Sequence, residues 1–112
     1  MKFGERLRAL RKQRGLGLRE FSKKAGLSPT YISRLENGKE NEPRKEKTLL
    51  KMAAALEVDP DFLLACVGEV SSVVRARMKA NPVLFSFVIK MLEEGPEDQI
   101  ERATRAVRDG KW

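Results

Sequence analysis

Histidine is absent from the 112 residues and cysteine occurs once, at Cys66. Such a chain offers no zinc-ligand spacing, no Cys-His nucleophile pair and no intrachain disulfide, which excludes a secreted disulfide scaffold. Long apolar runs are missing too. Nothing approaches the roughly 18 apolar residues of a membrane span, and the opening MKFGERLRALRKQRG carries charge every few residues, where a secretory leader has its apolar stretch. The protein is therefore expected to be cytoplasmic, with no membrane partner. Aromatics amount to only 6%, yet a hydrophobic content of 41% suffices for a core and argues against disorder. The length admits one domain, or a small domain with an appendage.

What the chain has in surplus is positive charge, and it is unevenly placed. Up to Lys47 there are 14 Lys and Arg against 6 Asp and Glu, whereas from Thr48 onward there are 9 against 10. The whole excess of the +7 net charge thus belongs to the first segment. This asymmetry suggests that one end meets a polyanion while the other associates with itself or with a partner. A merely solvated charged surface is the plainer alternative, and motifs must decide between them.

Proline placement marks the helices, because a proline costs nothing at the first helical position. Ser28-Pro29, Asp59-Pro60 and Asn81-Pro82 each set a good N-cap before the proline, and Gly95-Pro96 is followed by Glu97 and Asp98, which suit a positive helix end. Periodicity adds a first helix over about 3–13 through Phe3, Leu7 and Leu10, and a second over about 18–25. A third runs from Pro29 to Asn37, a fourth from Thr48 to Glu57, and a fifth carries Phe62, Leu63 and Cys66 up to Gly68. The stretch KENEPRKEK is a polar loop. Beyond Gly68, Val70, Val73, Val74 and Met78 lack strict alternation and so read as helix rather than strand, and Ile100, Ala103 and Val107 mark a last helix. Between them VLFSFVIKML is apolar in eight of ten positions, too much for a helix covered on one side. The fold is expected to be all-α, with a five-helix domain at 1–68 and a helical segment at 69–112.

Two short helices joined by Gly26-Leu27-Ser28 inside a basic unit describe a helix-turn-helix. Gly26 supplies a helix C-cap, Ser28 caps the next helix, and the small Ser22 lets the two helices approach. With Ile32 and Leu35 facing the core, the helical period turns Thr30, Tyr31, Ser33 and Arg34 toward solvent, in the part of such a helix that reaches base edges. An ordinary exposed helix face is the alternative, but it would carry Lys-Glu pairs rather than these polar and aromatic groups.

The stretches FGERLRALRKQRG, LREFSKKAGLSPTYISRLENGK and TLLKMAAALEVDPDFLL resemble the lambda-repressor and Cro type of helix-turn-helix, also called the xenobiotic-response-element family, over residues 3–66. The resemblance implies a DNA-binding repressor or regulator of bacterial or phage type. It also implies that Arg11 and Glu36 form a semi-buried pair between the first and third helices. Without the family they read equally well as surface charges. The chain departs from the pattern at Gly17 and Leu18, where the family commonly has a Thr or Ser cap and a phosphate-binding Gln. Backbone N–H groups there, with Arg19, can still meet phosphate. The loop after Gly38 is about one residue longer than the commonest form. Ser28, Asn37, Lys39, Arg44 and Lys45 are the further phosphate-contact candidates. Residues 69–112 resemble C-terminal extensions of some family members, with no residue carried over.

The remaining reactive groups have plain readings. Cys66 sits among Leu63, Leu64 and Val67 and reads as a buried structural thiol rather than a redox sensor. Glu93, Glu94, Glu97 and Asp98 read as helix-end solvation rather than a metal or acid-base cluster. Trp112 either docks or frays. Nothing stands at catalytic spacing, so no enzyme activity, cofactor or metal is expected. The expected function is sequence-specific binding of double-stranded DNA by a homodimer, on a near-palindromic operator, through the helix at 29–37. The dimer is expected to close through Leu84, Phe85, Val88, Ile89 and Leu92. The alternative is an antitoxin or adaptor whose C-terminal helices engage another protein.

Overall fold

A helix begins where a side chain or a proline relieves its first unpaired N–H groups, and it buries whatever apolar stripe its period creates. In a computed structural model of the chain, which describes residues 1–94 together with Glu97, Glu101 and Arg105, these rules place α1 (Phe3–Gln13), α2 (Leu18–Ala25), α3 (Pro29–Glu36), α4 (Glu46–Leu56), α5 (Pro60–Ala65), α6 (Ser72–Ala80) and α7 (Pro82–Glu94). The architecture is all-α, and no strand occurs among the described residues. The helix expected around Ile100, together with the Gly95-Pro96 start, Asp98 and Trp112, lies outside the described residues.

The chain divides into two compact units, Met1–Ser72 and Val73–Trp112. In the first, Leu7, Phe21, Ile32, Leu49, Met52, Leu56, Leu63 and Leu64 are fully buried, so all five helices contribute to one core. Each such side chain is worth roughly 1.5–3 kcal/mol of transfer free energy. This unit runs past the expected limit at Gly68 for a polar reason. Arg44 Nη1 donates to Glu69 Oε1 at 3.4 Å, and the Ser72 backbone N–H donates to Glu46 Oε1 at 2.7 Å, which ties 69–72 onto the start of α4.

Two sequence expectations shift here. α4 starts at Glu46 rather than Thr48. The first turn has no apolar period to reveal it, but Glu46 suits the positive helix end and accepts from Ser72. Cys66 is half-buried rather than enclosed, because it caps α5 while Leu63 and Leu64 take the inward face.

Two close fits set the relation of α1 to its neighbours. A methyl group on Gly4 would collide with the Leu35 carbonyl oxygen, so only glycine lets α1 lie this near the end of α3. At the other end of α1, Arg14 donates from Nε to the Leu56 carbonyl at 2.7 Å and from Nη2 to the Glu57 carbonyl at 2.8 Å. α4 closes on Glu57, a non-glycine residue at φ 55°, and its last carbonyls are satisfied by this arginine.

In the second unit, α6 and α7 meet at Asn81. Its side-chain amide donates back to the Arg77 carbonyl at 3.0 Å, so Asn81 closes α6 with its side chain, while its own carbonyl accepts from Phe85 N–H to open α7. The Asn81 side-chain amide thus bonds back to α6, where Asn81-Pro82 predicts a cap on α7. Along α7, Val83, Leu84, Phe87 and Leu92 are 63–85% exposed, Val88, Ile89 and Met91 are exposed to a lesser degree, and Phe85 is half-buried.

Candidate nucleic-acid interface

The turn between α2 and α3 is closed by small groups. Gly26 takes the left-handed conformation at φ 66°, Leu27 N–H donates to the Ser22 carbonyl at 3.1 Å, and the buried Ser22 hydroxyl donates to the Leu27 carbonyl. Ser28 then caps α3, its Oγ accepting from Tyr31 N–H at 3.2 Å. At the start of α2, where Gly17 has no side chain to offer, half of a capping box remains: Gly17 N–H donates to Glu20 Oε1 at 3.4 Å. Arg19 is exposed in that first turn.

The inward stripe of α3 is Ile32, Leu35 and, unusually, a carboxylate. Glu36 has only 2% of its side chain exposed, and it accepts from Arg11 Nε at 2.7 Å, from Arg11 Nη2 at 2.8 Å and from Arg8 Nε at 3.2 Å. Arg11 Nη1 also donates to the Leu16 carbonyl at 2.9 Å. Burial alone would raise the Glu36 carboxyl, but the hydrogen bonds and charges of Arg11 and Arg8 outweigh it and hold the group below the ordinary carboxylate range. The hydrogen bond to Glu36 correspondingly raises Arg11 against the opposing effect of burial. The structure therefore brings Arg11 and Glu36 together and adds Arg8, which sequence reasoning missed. The signal was present, since positions 8 and 11 share one face of a helix.

The outward face carries Thr30 and Arg34, both exposed, with Ser33 and Tyr31 half-buried. Tyr31 lies partly over the core with its ring, a position open to an amphipathic side chain. Its phenol is raised, first by burial and then by the charge of Glu40. Arg34 is held at the helix end: Nε donates to Glu40 Oε2 at 3.3 Å and Nη2 to the Lys39 carbonyl at 2.8 Å. Gly38, at φ 70°, lets the chain turn back so that Lys39 N–H reaches the Arg34 carbonyl at 2.8 Å.

The phosphate-contact candidates fall into two groups. Ser28, Lys39 and Lys45 are exposed like Arg19, and Arg44 is exposed although it lies 3.4 Å from Glu69 and 4.0 Å from Glu42. Asn37 is exposed too, but its amide already has partners on the protein. Its Oδ1 accepts from Arg8 Nη2 at 2.8 Å, and its Nδ2 donates to the Ser33 carbonyl at 2.8 Å. Among the described residues no cluster of His, Cys, Asp or Glu could hold a metal ion, and no helix is long and apolar enough to cross a membrane.

A family model described as a helix-turn-helix domain matches residues 4–69. The HTH-type transcriptional repressor RghR of Bacillus subtilis (strain 168) is 41% identical over 75 residues, which are 67% of this chain and 55% of that protein. This chain therefore spans about half the length of that relative. Among solved structures, the master regulator for biofilm formation SinR in complex with DNA matches with a TM-score of 0.51 and 34% identity, over 55% of this chain and 97% of that one. A SinR protein/SinI protein complex matches over 97% of both chains at a TM-score of 0.53 and 24% identity, a likeness of fold alone.

Proposed function

The chain belongs to the helix-turn-helix domain family, and from that premise we propose that it is a sequence-specific regulator of transcription, of the repressor kind, binding double-stranded DNA. In this reading a homodimer sets α3 of each protomer into successive major grooves of a near-palindromic operator, about 34 Å apart. The observation that carries the reading is the arrangement of α3 itself. Its inner side is anchored by a carboxylate gripped from two arginines of α1, and its outer side presents Thr30, Tyr31, Ser33 and Arg34 beside a loop that carries Lys39, Arg44 and Lys45. A reading head must be rigid to discriminate bases, and the anchoring supplies that rigidity.

Roles follow from position. Arg34 is the side chain suited to a guanine edge, Thr30 and Ser33 to either partner of a pair, and the Tyr31 ring to thymine methyl contacts. Arg19, Ser28, Asn37, Lys39, Arg44 and Lys45 would meet phosphates, Asn37 from an exposed amide that also bonds Arg8 and the Ser33 carbonyl. The repressor character is supported by the relative RghR, and DNA as the ligand by the solved SinR complex.

Exposed α7 would supply the two-fold contact through Leu84, Phe85, Val88, Ile89 and Leu92. A second reading draws on the same surface: an antitoxin or adaptor would use α7 to bind another protein. A discrete homodimer on purification favours the first, and aggregation that a second protein relieves favours the adaptor.

In-vitro selection from a random duplex library, followed by titration at several salt concentrations, tests the proposal. With about 4–8 phosphates met per dimer, the log-log salt slope should lie near −4 to −7. Arg34→Ala should cost about 1–3 kcal/mol at one position of each half-site, and Lys39→Ala should weaken all sequences alike. A slope near zero would remove DNA from the account.

A further inference from the structure

An acidic residue standing on a DNA-reading face is out of place electrostatically, because it repels the phosphates that its neighbours attract. Glu40 is such a residue. Its carboxylate accepts from Arg34 Nε at 3.3 Å, and its charge is also felt at the Tyr31 phenol, so it stands beside two of the four side chains on the outer face of α3.

The hydrogen-bond pattern on Arg34 gives that position a purpose. A guanidinium has two edges able to fork onto a base: the side edge formed by Nε and one hydrogen of Nη2, and the end formed by Nη1 and the other hydrogen of Nη2. In this protein the side edge is filled, Nε by Glu40 and Nη2 by the Lys39 carbonyl at 2.8 Å. Neither acceptor engages Nη1.

Resting on the DNA-binding reading above, we infer that Glu40 is a specificity-setting positioning residue: together with the Lys39 carbonyl it occupies the side edge of Arg34 and aims its end edge at one base.

Two consequences separate this from a stray surface ion pair. Holding Arg34 in one orientation removes the freedom with which a long cationic side chain would otherwise find any nearby phosphate, so binding to random DNA is suppressed. Part of the ordering is also in place before DNA arrives, which favours the one base edge that matches it. Both effects act on the ratio of specific to non-specific affinity rather than on affinity as a whole.

The experiment measures that ratio for the full chain, on a selected operator duplex and on a random duplex of equal length, in wild type, Glu40→Ala, Arg34→Ala and the double variant. An exposed pair is worth up to about 1 kcal/mol, so Glu40→Ala should lower the ratio about two- to fivefold, chiefly by tightening binding to random duplex. In the Arg34→Ala background the same change should leave the ratio where it is. Equal strengthening on both duplexes would mean that Glu40 acts only as a charge, and it would overturn the inference while leaving the DNA-binding reading intact. An undiminished effect of Glu40→Ala without Arg34 would overturn it as well, because Glu40 would then read a base directly. Absence of binding by wild type to every duplex would remove both.

Discussion

Glu36→Ala removes the carboxylate on which α1 and α3 converge, and the cost can be worked from the geometry. Arg11 is only 12% exposed and directs Nε and Nη2 at Glu36, so the truncation leaves it one partner, the Leu16 carbonyl. Breaking a fully buried pair from one side costs about 3–5 kcal/mol. Because some water can reach Arg11 through the vacated space, about 2–4 kcal/mol is expected here. For a unit of this size that lowers the thermal midpoint by about 10–25 °C. Arg8→Ala, whose side chain is 42% exposed, should cost no more than about 1 kcal/mol. Acid provides a second test. The folded carboxyl of Glu36 lies below its ordinary value, so near and below about pH 4.3 the unfolded chain binds the extra proton first. The stabilisation is therefore complete above the unfolded value and is lost as pH falls through the folded one. Wild type should lose midpoint more steeply than Glu36→Gln across that window. The assay is thermal unfolding by circular dichroism without DNA, and a Glu36→Ala midpoint equal to wild type would refute the reasoning.

Gly4→Ala, mild in an ordinary helix, should destabilise by about 1–3 kcal/mol or more because the added methyl meets the Leu35 carbonyl; denaturant unfolding checks it, and a stability gain would show that α1 can move aside. If α7 closes the proposed homodimer, Phe85→Glu with Ile89→Glu should leave the first unit folded while lowering the sedimentation coefficient to that of a monomer and weakening operator binding. An unchanged dimer would move the interface off α7.

Much of the fold is legible because its punctuation is local. Ser28-Pro29 and Asp59-Pro60 cap the helices they precede, and α1 and α2 run between the bounds that their apolar spacing implies. What escaped reading is set by partners distant in the chain. Glu46 opens α4 with no apolar period to announce it, and its meaning comes from Ser72. Arg8 and Arg14 look like ordinary surface cations, because their acceptors are Glu36, Asn37 and two carbonyls at the end of α4. The outer face of α3 was readable from its period, but Glu40, which lies beyond the helix in a loop, was not. Tyr31 is turned outward by the same period and still half-buried, since its ring is wide enough to lie back on the core.

The reach of Arg14 has a bearing on how the first unit opens. α4 ends without a glycine, and two of its terminal carbonyls depend on a side chain more than 40 residues earlier in the chain. Fraying at the end of α1 therefore removes two of the hydrogen bonds that close α4, which couples the two ends. Amide hydrogens near Leu56 and Glu57 should exchange in step with those at the close of α1.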